Sequence, residues 1–148
     1  MRTRLVIIGN GMVGHRLLEE LAEKAAPEQF DITVFCEEPR VAYDRVHLSA
    51  YFTHHSAEAL SLVAEGFCEK HKISVLTGEK ALTIDRQEKV VYSDQGRAVS
   101  YDKLVLATGS YPWVPPIAGA DGNNCFVYRT PDDLDAIEAC ARNSRSGA

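Results

Sequence analysis

The sequence predicts an α/β fold built on a parallel β-sheet. Short apolar runs rich in β-branched residues alternate with segments whose apolar residues recur at helical spacing. A glycine-rich turn, residues 9–14 (GNGMVG), follows the first apolar run and opens the first helical segment. Two adjacent acids, Glu37 and Glu38, end the second apolar run. Together these features are typical of a Rossmann-type βαβ unit.

The individual elements follow from residue spacing and turn residues. Buried parallel strands are predicted at residues 4–8, 31–36, 73–76 and 104–107. A first helix is predicted over residues 12–25, with Val13, Leu17 and Leu21 on its apolar face, and Pro27 is expected to end it. A second helix is predicted over residues 56–68 with Ser56 as its N-cap, and a last helix begins at Thr130 and Pro131.

The middle of the chain has a different pattern. Short strands at residues 81–84, 89–92 and 98–101 are separated by polar turns. This pattern predicts a small antiparallel ribbon inserted in the parallel α/β fold. The proline-rich segment at residues 111–119 is predicted to be a loop, with Trp113 as its packing anchor.

Composition limits the classes of function. The chain has 148 residues, of which 45% are hydrophobic and 25% charged, as in an ordinary soluble globular protein. A formal net charge of −5 argues against a nucleic-acid partner. No run has the length of a membrane span and no signal peptide is evident, so we expect a cytoplasmic protein with reduced cysteines.

The glycine-rich turn predicts a phosphate site. Gly9 allows the tight turn, Gly11 lets a pyrophosphate approach the backbone, and Gly14 permits close packing of the helix on the strand. The beginning of the helix supplies N–H groups and a partial positive charge. The alternative is a glycine-rich turn without a ligand.

The acids at the end of the second strand predict a ribose site. Glu37 lies 23 positions after Gly14, which suits an acid that binds the ribose hydroxyls of an adenosine. Glu38 is the second candidate, with a solvated loop carboxylate as the alternative. An acid here disfavours a 2′-phosphate. A guanidinium can bind pyrophosphate oxygens, but spacing alone does not choose between Arg40 and Arg45.

These residues carry a resemblance to a known family. The glycine-rich turn, the segment EEPRVAYDRVHLS and the segment YDKLVLATGSYP resemble the FAD-binding part of flavoprotein reductases that have two dinucleotide-binding domains. Within that superfamily the segments IIGNGMVGHR, FCEEPRVAYDRVHLSAYFTHH and LVLATGSYPWVPPIAG look most like large subunits of NAD(P)H-dependent nitrite reductases. The resemblance covers essentially the whole chain.

The resemblance implies a set of FAD-binding residues and no catalytic or metal-ligating residue. It assigns the pyrophosphate to the glycine-rich turn, the ribose to Glu37 with Glu38 beside it, and a phosphate contact to Arg45 rather than Arg40. It assigns an adenine contact to the backbone of Ala81. It also implies that the end of the last strand, residues 107–109, lies alongside the FAD. The complete set is Gly9, Gly11, Met12, Gly14, Glu37, Glu38, Arg45, Ala81, Ala107, Thr108 and Gly109.

Two departures from the family pattern limit what the resemblance implies. Related reductases often carry a lysine near the flavin ring where this chain has Ala50. The disulfide-reductase branch carries a redox-active cysteine pair early in the chain, whereas no cysteine lies between Cys36 and Cys68 here. We therefore expect no dithiol chemistry. His54 and His55 are expected to be a solvated pair, and His47 has no assigned role.

The resemblance also implies a function for a larger protein. Residues 1–118 would be the first part of a FAD-binding domain, and residues 119–148 a linker and helix leading toward an NAD(P)H-binding domain. Electrons would pass from NAD(P)H through FAD toward nitrite, with sirohaem and an iron–sulfur cluster in later regions. Expected partners are those later domains, a small subunit and a second copy in a homo-oligomer. The alternatives are a reductase for a ferredoxin- or rubredoxin-like protein and a non-catalytic nucleotide-binding module.

Overall fold

The computed structural model of the protein describes residues 2–24 and 26–146. Two compact units divide the chain: residues 1–43 with 61–109, and residues 44–60 with 110–148. The predicted domain boundary after residue 118 stays a prediction.

The first unit contains a parallel sheet. Its strands in the described residues are β1 (Thr3–Ile8), β2 (Phe30–Cys36), β3 (Ile73–Thr77) and β7 (Lys103–Leu106). They lie in the order β3-β2-β1-β7, and every neighbouring pair is parallel. A second, antiparallel sheet in the order β4-β5-β6 is formed by residues 81–85, 90–93 and 98–100. The predicted α/β fold with an inserted ribbon is confirmed.

Both faces of the parallel sheet are covered within this unit. On one face, Leu18 of helix α1 (Met12–Lys24) lies in a buried cluster of strand residues, against which Phe67 of the short helix α4 (Phe67–Lys70) also packs. The strand members of that cluster are Leu5, Ile7, Ile32, Val34 and Ile73. On the other face, Val6 and Phe35 pack with Val91 and Tyr101 of the antiparallel layer. The alternation of β1 side chains therefore supplies two cores.

The first helix largely matches its prediction. Helix α1 ends at Lys24, and the predicted last residue, Ala25, lies outside the described residues. A four-residue helix, α2 (Ala26–Gln29), precedes β2. The placing of Val13 on the apolar face is wrong, because Val13 is 73% exposed.

The second unit contains the loop after the paired acids and the end of the described chain. It holds helix α3 (Tyr51–His54), helix α5 (Pro131–Ala141) and two 3-10 turns at Leu48–Ala50 and Glu58–Leu60. The Tyr51 hydroxyl donates to the Asp135 carboxylate at 2.8 Å. The predicted cap of α5 is confirmed: the Asp133 N–H donates to the Thr130 hydroxyl, and the Thr130 N–H donates to the Asp133 carboxylate.

The helix predicted over residues 56–68 is wrong. The Ser56 hydroxyl donates to the Glu58 carboxylate rather than capping a helix. The Leu62 N–H donates to the carbonyl of Ala42, and Ser61 forms an antiparallel bridge with Tyr43. These backbone groups are therefore used across the chain instead of along a helix, and only short helical pieces form.

Two further expectations are corrected. The strand predicted at residues 104–107 lies at an edge of the sheet, and Leu106 is 62% exposed rather than buried. Trp113 is 80% exposed, so it is not a packing anchor. Among the helices of the described residues, none combines the length and the apolar character that crossing a membrane requires.

Candidate functional site

The glycine-rich turn lies where the carboxyl ends of three parallel strands meet. The Gly9 N–H donates to the carbonyl of Phe35 in β2 at 2.9 Å. The Ala107 N–H, just after β7, donates to the carbonyl of Ile8 in β1 at 2.8 Å. In open parallel sheets, ligands bind outside the carboxyl ends of the strands. The turn is thus at the edge of the sheet where such folds bind ligands.

Gly9 and Gly14 are required by the packing of the turn itself. Gly9 has a φ of 110°, and a Cβ on it would overlap the carbonyl group of Ala107. Gly14 is buried in α1, and a Cβ on it would overlap the carbonyl oxygen of Gly9. The beginning of α1 therefore rests directly on the backbone of the turn, as the motif predicts.

Gly11 is not required by packing. Its two chain neighbours aside, no atom of residues 2–24 or 26–146 lies within 4 Å of the position that a Cβ would take. The space lies at the beginning of α1, next to Met12, where the first N–H groups of a helix have no partner within it and carry a partial positive charge. An anion is favoured at such a position.

Asn10 adds an independent sign of a ligand or water at this turn. The residue is buried, with 8% of its surface exposed, and its Oδ1 has no hydrogen-bond partner among the described residues. A buried amide oxygen without a donor costs free energy, so a donor is expected to reach it. The open position at Gly11, the helix N-terminus and Asn10 together fit the phosphate and hydroxyl groups of a dinucleotide such as FAD.

Glu37 and Glu38 differ in their surroundings. Glu37 is exposed and accepts from the Lys80 ammonium, with Nζ and Oε1 2.8 Å apart. Glu38 is half-buried and accepts from the Tyr43 hydroxyl at 2.9 Å, with an Arg40 guanidinium nitrogen 3.7 Å from its carboxylate. Glu38 and Arg40 thus support the loop after β2, whereas Glu37 faces solvent directly after the strand.

Ala81 is held by a network of polar contacts just before β4. The carboxylate of Glu79 is buried and accepts from the Ser93 hydroxyl at 2.6 Å and from the Arg97 guanidinium at 3.0 Å. The Ser93 hydrogen bond, with help from Arg97, lowers the pKa of Glu79. The Lys80 N–H donates to the Asp94 carboxylate at 3.0 Å. The backbone position assigned to the adenine contact is therefore well fixed.

The residues after β7 form the rest of this edge. Ala107 contacts the glycine-rich turn as described above, and Thr108 and Gly109 are exposed. Gly109 has a φ of 65°, which favours glycine. A glycine is therefore favoured at this position, and the contact of residues 107–109 with FAD stays a prediction.

Arg45 belongs to the second unit. It is half-buried, and its Nη1 donates to the carbonyl of Arg129 at 3.1 Å. The Arg129 guanidinium lies 5.9 Å from the ring centroid of Tyr111. Arg45 is therefore held by the segment just before α5, while Arg40 is paired with Glu38 in the first unit.

His47 and His55 each have an acidic neighbour in the second unit. His47 is exposed, and its Nδ1 lies 2.7 Å from the carboxylate of Asp44, a contact that lowers the pKa of Asp44. His54 and His55 are both exposed, and the Nδ1 of His55 is 3.6 Å from the Glu138 carboxylate.

Sequence reasoning missed three residues around this site. Lys80 pairs with Glu37, Arg97 pairs with Glu79, and Arg129 supplies the carbonyl that holds Arg45. Each partner lies 18 or more positions away in sequence, so no local pattern could reveal it. The sequence signal for the first of these is that Lys80 directly precedes Ala81, which the resemblance assigns to the adenine contact.

The fold is that of a Rossmann-type α/β protein, and the site fits a dinucleotide. A sequence model of the family described as pyridine nucleotide-disulphide oxidoreductase matches residues 3–145. The chain therefore belongs to the pyridine nucleotide-disulphide oxidoreductases, a family of flavin-dependent enzymes that use pyridine nucleotides.

Two relatives are similar to nearly the whole of this chain. The NADH nitrite reductase large subunit of Escherichia coli K12 is 68% identical over 147 residues, which are 99% of this chain and 17% of that protein. The NAD(P)H nitrite reductase large subunit of Klebsiella oxytoca is 51% identical over 143 residues, 97% of this chain and 15% of that protein. The chain thus spans less than a fifth of these relatives, and the predicted resemblance to nitrite reductase large subunits is confirmed.

A solved structure supports the fold. The NADH:rubredoxin oxidoreductase of Clostridium acetobutylicum aligns with a TM-score of 0.82 at 26% identity. The alignment covers 99% of this chain and 38% of that protein.

Proposed function

We propose that this chain is the FAD-binding part of an NAD(P)H-dependent nitrite reductase large subunit. The observation that carries the proposal is the open position at Gly11, at the N-terminus of α1, next in sequence to Asn10, whose buried side-chain oxygen has no partner among the described residues. The 68% identity to the Escherichia coli large subunit supports the choice of reductase.

Each part of the site has one task in this proposal. The backbone at Gly11 and Met12 binds the pyrophosphate, and Glu37 accepts from the ribose hydroxyls. The backbone of Ala81 contacts the adenine, and Arg45, assigned by the resemblance, neutralises phosphate charge. When bound, FAD supplies the chemistry that accepts a hydride from NAD(P)H and passes electrons onward.

The remaining partners follow from the relatives and are part of the proposal. The name of the relatives as large subunits supports a small subunit as a partner. Sirohaem, an iron–sulfur cluster and the NAD(P)H site would lie in regions of the reductase outside these 148 residues. We propose a cytoplasmic location and association into a homo-oligomer.

A second acceptor remains a candidate because of the structural alignment. The similarity to NADH:rubredoxin oxidoreductase favours a small redox protein as the alternative acceptor of electrons from FAD. The first part of the pathway, from NAD(P)H to FAD, is the same in both cases.

The test uses the purified reductase that contains this chain. We expect one FAD per chain, released on denaturation and identified by its absorption and fluorescence, and NADH oxidation that depends on nitrite. A preparation that binds NAD but no flavin contradicts the proposed cofactor. Flavin-dependent NADH oxidation that responds to a rubredoxin and not to nitrite supports the alternative acceptor.

A further inference from the structure

Lys80 and Glu37 form an ion pair at the end of β2. The Lys80 Nζ lies 2.8 Å from the Glu37 Oε1, and the two side chains are 44% and 49% exposed. The residues come from different connections of the fold, since Glu37 follows β2 and Lys80 lies between β3 and β4. An exposed pair of this kind contributes little to stability, about 0–1 kcal/mol. Stability of the fold therefore gives little reason for this pair.

The backbone on which Lys80 stands is fixed from both sides. Its N–H donates to the Asp94 carboxylate at 3.0 Å, and its carbonyl accepts from the Asp94 N–H at 3.0 Å. The Gly78 and Glu79 N–H groups donate to the carbonyls of Glu38 and Cys36 at 2.9 and 3.0 Å. The turn before β4 is thus attached directly to the chain on either side of Glu37.

The side chain of Glu79 adds a second anchor to the same turn. Its buried carboxylate is bound by the hydroxyl of Ser93 and by the guanidinium of Arg97. The Gln95 amide donates to the carbonyl of Gly78 at 2.8 Å. Lys80 therefore projects from a turn that several hydrogen bonds hold in place, while the side chain of Glu37 is 49% exposed.

We propose that Lys80 is a positioning residue for the adenosine end of the FAD site. Its ammonium holds the Glu37 carboxylate in the orientation that accepts the ribose hydroxyls. The inference rests on the proposed function, because it gives Glu37 its ribose-binding role.

Two physical effects support this role. A glutamate without a partner samples several rotamers, and fixing it before the ligand arrives removes that entropic cost from binding. A carboxylate can accept about four hydrogen bonds, so an ammonium and a ribose hydroxyl can be bound at the same time. The positive charge also offsets the repulsion between Glu37 and an approaching pyrophosphate.

The experiment compares FAD with FAD whose adenosine ribose lacks the 2′-hydroxyl. Dissociation constants are measured by flavin fluorescence for the apo form of the reductase, in the wild type and in Lys80→Met, Lys80→Arg, Glu37→Gln and the double variant. We expect Lys80→Met to raise the Kd of FAD about 10-fold, close to the lower end of the range for hydrogen bonds to charged groups. In Lys80→Met, the ratio of the Kd of the deoxy analogue to the Kd of FAD should fall to the ratio found in Glu37→Gln.

Two further variants test whether the effect on FAD binding is specific to a positive charge at position 80. Lys80→Arg should restore most of the affinity, because a guanidinium can also bind the Glu37 carboxylate. Lys24→Met removes a lysine that pairs with Glu20 on the exposed surface of α1, and it should leave both dissociation constants unchanged. Adding Lys80→Met to Glu37→Gln should cause no further loss, because the two residues act through one contact.

Other outcomes overturn the inference. Equal loss of affinity for FAD and the deoxy analogue in Lys80→Met, or additive losses in the double variant, would show that Lys80 acts independently of Glu37. An unchanged Kd in Lys80→Met would show that the pair is only a surface ion pair. Failure of the wild type to bind FAD at all would instead reject the proposed function.

Discussion

The Cα of Gly14 lies against the carbonyl group of Gly9, so that α1 crosses the glycine-rich turn at backbone contact. A Cβ at position 14 would overlap that oxygen, whereas a Cβ at position 11 would meet open space. The two glycines of one motif therefore differ: packing requires Gly14, whereas the open position at Gly11 fits the proposed binding of FAD, and substitution separates the two effects.

Gly14→Ala is expected to destabilise the fold by about 1–3 kcal/mol, the usual cost of overpacking. Gly11→Ala should leave the free energy of unfolding unchanged or raise it by up to about 1 kcal/mol, because it only restricts the unfolded chain. Urea unfolding of both variants measures the difference. Equal destabilisation by both would contradict the distinction.

Arg45→Ala is expected to weaken FAD binding by about 1.5–3 kcal/mol, the range for hydrogen bonds to charged groups. The matched control is Arg40→Ala, which removes a guanidinium that pairs with Glu38. That variant should weaken FAD much less. The measurement is calorimetric titration of each apo protein, and similar losses for the two variants would reject the assignment of the phosphate to Arg45.

Asp102→Asn is expected to change how stability depends on pH. Two hydrogen bonds from the Arg4 guanidinium and one from its backbone N–H lower the pKa of Asp102 from 3.8 to about 2. Because the folded protein favours the charged carboxylate, this contribution is present above pH 3.8 and is lost as the pH falls toward about 2.

The difference in unfolding free energy between wild type and Asp102→Asn should therefore be constant near neutral pH and shrink in that acid range. Chemical denaturation at several pH values measures it. Asp121→Asn, in an exposed loop, serves as the control. A difference that stays constant down to the lowest pH would show that the ion pair does not contribute.

Thr130→Ala is expected to destabilise α5 by about 1 kcal/mol, since it removes the N-cap hydroxyl that accepts from the Asp133 N–H. Thr53→Ala, at an exposed position of α3, is the matched control and should have little effect. Thermal unfolding of the two variants measures the loss. No difference between them would mean that the capping contact does not stabilise the helix.

The sequence was most informative where one local pattern decides the structure. The strands, the glycine-rich turn and the cap at Thr130 were all predicted, because each depends on residues close together in the chain. The helix over residues 56–68 failed because the backbone of Leu62 is used by Ala42, a contact that no helical spacing reveals. The exposure of Leu106 was also not predicted, because an apolar run does not show whether its strand lies at the edge of a sheet.

Only the residues of the site that a motif or the resemblance identifies were named from the sequence. Gly11 and Glu37 were named from their positions after strands, and Ala81 was named from the resemblance. The ion pair of Lys80 with Glu37 joins residues 43 positions apart, so it depends on how β3 and β4 are connected. The structure also separates Glu38 from Glu37 by their partners, a distinction that two adjacent identical residues cannot show in sequence.

The central claim is that the open position at Gly11 accommodates the pyrophosphate of FAD. Equilibrium titration of the apo reductase with FAD, for the wild type and for Gly11→Val, tests it most directly, with circular dichroism to verify that the variant is folded. We expect one FAD bound per chain in the wild type and a Kd at least about 100-fold higher in folded Gly11→Val, because the valine side chain fills the space and blocks the N–H groups of α1. Stoichiometric FAD binding of unchanged affinity in the folded variant would contradict the account.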